Sequence, residues 1–263
     1  MSALKKFQND IIHAVMPQNK AALEIDSVMV AYHIGAYLGY TEKELPPHPR
    51  VLTIHEMAIQ RLFFGFMEIS MSVDNIRNIS VYIRRFPYNK TGITRSAYLR
   101  YHVENYLNEL YILGERMKTY VTIVQRMYKG NVAVSHVAES GKDIWNRVSS
   151  ALKPFINIRN PHIHKQRISD HDLDMLTIFE RLRTEGEQFS HLYEETWRKV
   201  CRIKRIWIKE TNASVMKLID VYFGFLHKLV FDSNGYVCVP AALSNKGIKK
   251  DSVKHRLQNE VLP

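Results

Sequence analysis

The sequence predicts an all-α protein: an antiparallel bundle of about five long helices with a short N-terminal helical extension. Three observations predict it. Apolar residues recur at alternating steps of three and four over stretches far longer than a strand. Segments carrying proline, glycine and capping residues separate those stretches. Strand-like alternation is thin, and only "DSNGYVCVP" at 232–240 reads as a turn and one short strand.

The elements follow in order. Residues 3–40 hold a small helical segment, cut off by "LPPHP" at 45–49. A first long seam runs Ile59, Leu62, Phe66, Ile69, Val73, Ile76, with Ile83 further on, and "FPYNKTG" at 86–92 ends it. The longest seam follows: Leu99, Val103, Tyr106, Leu110, Leu113, Met117, Tyr120, Val124 and Met127, one face of a helix of about thirty residues. "YKGNVAVSHVAESGKD" at 128–143 separates it from Ile144, Val148, Ala151, Phe155 and Ile158. That third seam stops at Asn160-Pro161, because the residue before proline avoids the α region. Ser169-Asp170 is a good N-cap pair for a long helix beginning near His171 and carrying Phe189, Tyr193, Thr196, Val200, Ile203 and Trp207. Thr211 or Asn212 starts a fifth helix through Val215, Ile219, Tyr222, Leu226 and Leu229. The pattern divides the chain into an extension at 1–49, a bundle at 50–231 and a basic tail at 232–263. A long bundle with 14 Tyr and 11 Phe suits burial of one face against a second copy, so a homodimer is expected.

Composition narrows the function classes. Cys201 and Cys238 form no framework and no CxxC pair, which points to free thiols and a reducing, cytoplasmic setting. The most apolar window, 57–73, is interrupted by Arg61 and Glu68, so no membrane span is expected. No P-loop, GxGxxG, HExxH or GxSxG pattern is present. His162, His164, Asp170, His171 and Asp172 match no zinc spacing, so neither metal nor cofactor is expected. Net charge is +11 and uneven: residues 1–89 carry 9 Lys/Arg against 8 Asp/Glu, residues 90–263 carry 28 against 18. That balance favours a polyanionic partner such as RNA.

Two stretches concentrate this chemistry. In "FINIRNPHIHKQR", 155–167, Arg159, Asn160, His162 and His164 fall where an apolar seam stops. The Arg-x4–6-His spacing is uninformative by itself: chance placement of 18 Arg and 12 His yields two or three such pairs, and three occur. Context singles out Arg159. Arg50…His55 and Arg95…His102 lie on ordinary helical sequence, whereas Arg159 sits at a helix end, followed by a polar residue and a proline. RNA can be cleaved without metal when its own 2′-OH attacks the adjacent phosphate. That reaction needs a base, an acid and positive charge on the phosphorane. Histidine supplies either proton function near neutrality, arginine grips phosphate, and asparagine can hold an imidazole in one tautomer. One such set lacks a full acid–base pair; two sets facing each other across a dimer have one.

The second stretch is "WRKVCRIKRIWIK", 197–209. Arg198, Arg202, Arg205 and Lys209 fall at steps of four, three and four, opposite the seam through Val200, Ile203 and Trp207. A phosphate-backbone contact surface fits this stripe, with a membrane-surface helix or a solvated face as rivals. The tail "KGIKKDSVKHR", 246–256, adds five basic residues against one acid and reads as an RNA-binding arm or a plain polar tail. On the longest helix His102, Asn105 and Glu109 share a face.

"RNPHIH" at 159–164, set in a helical bundle after the long helix "YLRYHVENYLNELYILGERM" (98–117), resembles the HEPN superfamily, marked by Arg-polar-x3–5-His in a bundle that usually dimerises. The resemblance spans roughly residues 53–230. It implies a metal-independent endoribonuclease, often a toxin or antiphage effector, with an antitoxin or other partner protein. Arg159 would bind the scissile phosphate, Asn160 would orient the imidazole, and His164, or its neighbour His162, would be the acid or base. The alternative it leaves is a non-catalytic bundle that binds RNA, a nucleotide or a partner protein.

Overall fold

The computed structural model describes residues 1–16, 34, 35, 37–39, 53–85, 92–128, 142–154 and 170–238. Their fold is an all-α bundle. Helix α1 covers 3–16, α2 Ile54–Tyr82, α3 Arg95–Tyr128, α4 142–154, α5 His171–Leu182 and α6 Glu187–Val230. The frame is α2, α3 and α6, of 29, 34 and 44 residues. At 1.5 Å per residue α6 alone is about 66 Å long.

Side-chain bonds between helices fix their directions. Tyr120 donates to the Leu62 carbonyl, Arg116 to that of Glu68, Asn75 to Glu109, and Tyr98 to the Tyr82 carbonyl. Positions rise on α3 as they fall on α2, so this pair is antiparallel. Arg95 meets Glu194, Tyr106 donates to Asn212, and Tyr222 to the Met117 carbonyl. Both numberings rise together, so α3 and α6 run parallel, a departure from the all-antiparallel expectation. Helix α5 runs antiparallel to both, through Arg100–Asp174 on α3 and Tyr193–Glu180 on α6.

Local sequence explains the boundaries. Thr53 and Glu56 close a reciprocal capping box at the start of α2. Asp170 caps α5 by accepting from the Leu173 N–H at 3.1 Å. Two predicted boundaries differ. The pattern predicts one helix from His171 to Trp207 and a new start at Thr211 or Asn212. The structure instead breaks at 183–186, with Gly186 ahead of α6, and runs unbroken through 211–212. Thr211 and Asn212 look like a cap, but Thr211 is buried and Asn212 takes the Tyr106 hydroxyl at 2.7 Å, so packing holds them inside the helix.

The core joins all six helices. Residues 3–16 belong to it: Phe7 and Ile11 are fully buried, and Phe7 lies 4.9 Å from Phe223 and 5.8 Å from Phe66 between ring centroids. The Leu4 N–H donates to Asp220 and Asp10 meets His227 at 2.6 Å, fastening α1 along α6. Gly65 lets α3 approach α2 closely, since a Cβ there would stand 2.3 Å from the Tyr120 ring. Among the described residues the only β pairing is the single bridge Phe231–Val237 around the turn at 232–236.

Candidate nucleic-acid interface

Arg159, Asn160, His162 and His164 lie outside the described residues, as does the basic tail from 239 onward. Asp170, at the entry to α5, is held on both sides. One carboxylate oxygen caps α5, and the other takes the ammonium of Lys204 from α6. Lys204 is 11% exposed and Asp170 22%, so this is a nearly buried ion pair. Breaking such a pair leaves an uncompensated charge, which is why it fixes the approach of α5 to α6 even if it adds little net stability.

Lys204 also explains a shift in the buried line of α6. The sequence seam passes through Val200, Ile203 and Trp207. In the structure Val200 is buried, but Ile203 is 38% exposed, and the buried line continues through Cys201, Lys204, Ile208 and Thr211. A lysine at a core-facing position breaks the apolar period.

The basic stripe survives this correction. Arg198, Arg202, Arg205 and Lys209 are all exposed. At 3.6 residues per turn they fall within an arc of about 60°, over a length of about 16 Å. Among the described residues, none of the four forms an ion pair with a carboxylate. Exposed Lys199 widens the positive face. A shallow groove of about 540 Å³ follows Trp197, Arg198, Cys201, Arg202, Arg205 and Ile206. Its floor is inert, because burial raises the Cys201 thiol to about 11, against the opposing pull of Arg205 and Arg95, so it is no thiolate nucleophile at neutral pH.

The stripe ends against the C-terminus of α2. The Arg205 guanidinium donates to the Ile83 carbonyl at 3.4 Å, and a cavity of about 100 Å³ opens beside Ser80, Arg84, Arg205, Lys209 and Asn212. Sequence reasoning overlooked Arg84. Its only signal was a dibasic pair, Arg84-Arg85, closing an otherwise apolar helix end.

Two ionisable groups elsewhere are structural. Glu180 accepts from the Arg95 N–H at 3.0 Å, the Ser96 N–H at 3.2 Å, the Ser96 hydroxyl, and the Tyr193 hydroxyl at 2.6 Å. Burial pushes its carboxyl up, but these bonds outweigh burial and hold it below the usual range. It therefore caps α3 as a carboxylate and has little basicity to offer. His102 is 9% exposed, among the rings of Tyr98, Tyr101 and Tyr82 at 4.4, 5.3 and 5.5 Å. Burial lowers its pKa, so it is neutral at pH 7. Glu109 bonds Asn75 of α2, so the strip His102–Asn105–Glu109 is used in helix packing at both ends.

Among the described residues no three His, Cys, Asp or Glu side chains group as metal ligands, and no helix is long and apolar enough to cross a membrane. Comparisons with protein-family models, curated proteins and solved structures return no match for this chain.

Proposed function

We propose that this protein is an RNA-binding helical bundle that cleaves RNA without a metal through Arg159 and His164, the chemistry its HEPN resemblance implies. The observation that carries the binding half is the face of Arg198, Arg202, Arg205 and Lys209, four exposed cations on one side of one helix with no carboxylate partner among the described residues. Such a face neutralises a phosphate backbone and releases its counterions. Covalent reach supports the catalytic half. Six peptide steps join His164 to Asp170, a chain that spans at most about 21 Å, and Asp170 is clasped to Lys204 on the inward side of α6.

In this reading a histidine removes the 2′-OH proton and the 2′ oxygen bonds to phosphorus. The P–O5′ bond then breaks, and a second histidine protonates the departing 5′ oxygen, leaving a 2′,3′-cyclic phosphate and a 5′-OH. Arg159 stabilises the phosphorane and Asn160 orients the imidazole, with His162 as reactive histidine or helper. Two copies complete the acid–base pair. Helix α2 offers a surface for that: Met57, Phe64, Met67 and Met71 recur at steps of seven, three and four and remain 36%, 61%, 37% and 53% exposed. Release of such activity as a toxin or antiphage effector would require restraint by an antitoxin or other partner protein.

The test is RNA cleavage in EDTA by the full-length protein beside His164→Ala and Arg159→Ala. Wild-type cleavage lost in both variants is the expected result. Equal cleavage by all three, or none by wild type, sinks the catalytic half; retained RNA binding in the latter case leaves a non-catalytic binding bundle.

A further inference from the structure

We propose that the cavity between the C-terminus of α2 and the middle of α6 is a subsite for one phosphoryl group of the bound RNA. This rests on the RNA-binding reading and adds a defined pocket to it. The cavity is about 100 Å³, well below the roughly 300 Å³ at which pockets begin to enclose a drug-sized ligand. It has room for a phosphoryl group and its water, not for a whole nucleotide.

Its polar lining is mostly donors; Ser80 alone has spent its hydroxyl hydrogen, on the Arg77 carbonyl at 2.7 Å. Arg84, in the turn after α2, and Arg205 and Lys209 of α6 bring three cations, and among the described residues none of them is paired with a carboxylate. Arg205 is steadied by its bond to the Ile83 carbonyl. Asn212 accepts the Tyr106 hydroxyl on its Oδ1 at 2.7 Å, which leaves its amide N–H groups as the donors on offer to the pocket. The end of α2 opposes an anion with about half a negative charge, since helix dipoles are negative at the C-terminus. Three cations outweigh that, and the guanidinium of Arg205 already engages one of the terminal carbonyls. A phosphoryl group, with its charge and several acceptor oxygens, matches this donor set.

The chemistry fits an internal phosphodiester or a terminal phosphomonoester, and one experiment separates them. Binding of full-length protein to single-stranded 2′-O-methyl decamers, which cannot undergo 2′-OH attack, is measured by fluorescence anisotropy across a salt series. One decamer carries terminal phosphates and the other ends in hydroxyls. The variants are Arg84→Ala and Asn212→Asp, the second keeping an acceptor for Tyr106 while placing a carboxylate in the pocket. Thermal melts confirm that each folds. If the pocket holds an internal diester, both variants weaken both decamers about tenfold, and Arg84→Ala lowers the slope of log K against log salt by about 0.7. If it holds a terminal monoester, only the phosphorylated decamer loses affinity. Wild-type affinity in both variants, with Arg202→Ala weakened, overturns the subsite and leaves the stripe standing. If wild type binds neither decamer, the RNA reading fails and inorganic phosphate judges the pocket alone. Phosphorus-31 line broadening that is lost in Arg84→Ala then upholds an anion site, and its absence with wild type overturns it.

Discussion

Gly65→Ala should destabilise this protein although alanine is the better helix former. Gly65 lies inside α2, where the exchange on an exposed face would gain about 1 kcal/mol. Here a Cβ would stand 2.3 and 2.6 Å from two carbons of the Tyr120 ring, against the roughly 3.5–4.0 Å of a good carbon contact. The ring cannot simply retreat, because Tyr120 is 2% exposed and its hydroxyl donates to the Leu62 carbonyl, one turn away on the same helix, at 2.9 Å. Overpacking of this kind costs about 1–3 kcal/mol. A ring pushed off its acceptor strands a buried hydroxyl for about 1–3 kcal/mol more. Subtracting the propensity gain leaves a net loss of about 1–5 kcal/mol. Urea unfolding reads this as a lower midpoint at unchanged slope. Tyr120→Leu removes the obstacle, so alanine at 65 should cost far less in the double variant, with a coupling of about 2 kcal/mol. A more stable Gly65→Ala, or additivity within about 0.5 kcal/mol, would refute the close-approach argument.

Three further outcomes can be measured. Asp170→Ala should cost about 3–5 kcal/mol, because it strands the buried Lys204 charge and removes a cap, and adding Lys204→Met should recover much of the loss, read from urea midpoints. The pH profile of those midpoints should have two limbs. The folded pKa of His102 is lowered, so the unfolded chain binds the proton more readily and stability falls as pH drops below about 6.5, a limb that His102→Phe removes. Glu180 is also lowered, so its contribution is present above its ordinary value of 4.5 and is lost as pH falls through the folded pKa, a limb that Glu180→Gln flattens. Arg198→Ala and Arg202→Ala should each reduce the salt slope of single-stranded RNA binding by about 0.7 while leaving the thermal midpoint near wild type, and an unchanged slope in both would remove α6 from the interface.

The sequence was most legible where burial is purely apolar. All nine positions of the α3 seam are buried, as are Val215, Ile219, Tyr222, Leu226 and Leu229 on α6. Apolar period alone places them. It misplaces α6 around Ile203 because the buried line there includes Lys204, whose partner Asp170 lies 34 residues earlier. On α4 it selects Ala151, while the structure buries Leu152 against Gly114 of α3. Both errors arise where a distant partner, not local pattern, decides which side faces inward. The stripe was readable because its four cations share one helix. The cavity was not, because Arg84 and Asn212 meet only once α2 lies against α6. Residues 159–164 lie outside the described residues, so for them the sequence remains the guide.

The tyrosine hydroxyls have a consequence beyond the bonds they make. A seam of apolar residues repeating every seven positions is translationally degenerate, since a helix slid by one repeat still presents apolar side chains to its neighbour. Tyr106, Tyr120 and Tyr222 remove that degeneracy. Their hydroxyls meet Asn212, the Leu62 carbonyl and the Met117 carbonyl at three levels along α3, tying it to α6 twice and to α2 once. A slip by one repeat would break all three at once and strand the fully buried hydroxyls of Tyr120 and Tyr222 without a partner. These few polar contacts act as a vernier, selecting one alignment from several that the greasy surfaces would accept, and so they hold Arg84, just past α2, level with Arg205 and Lys209 of α6.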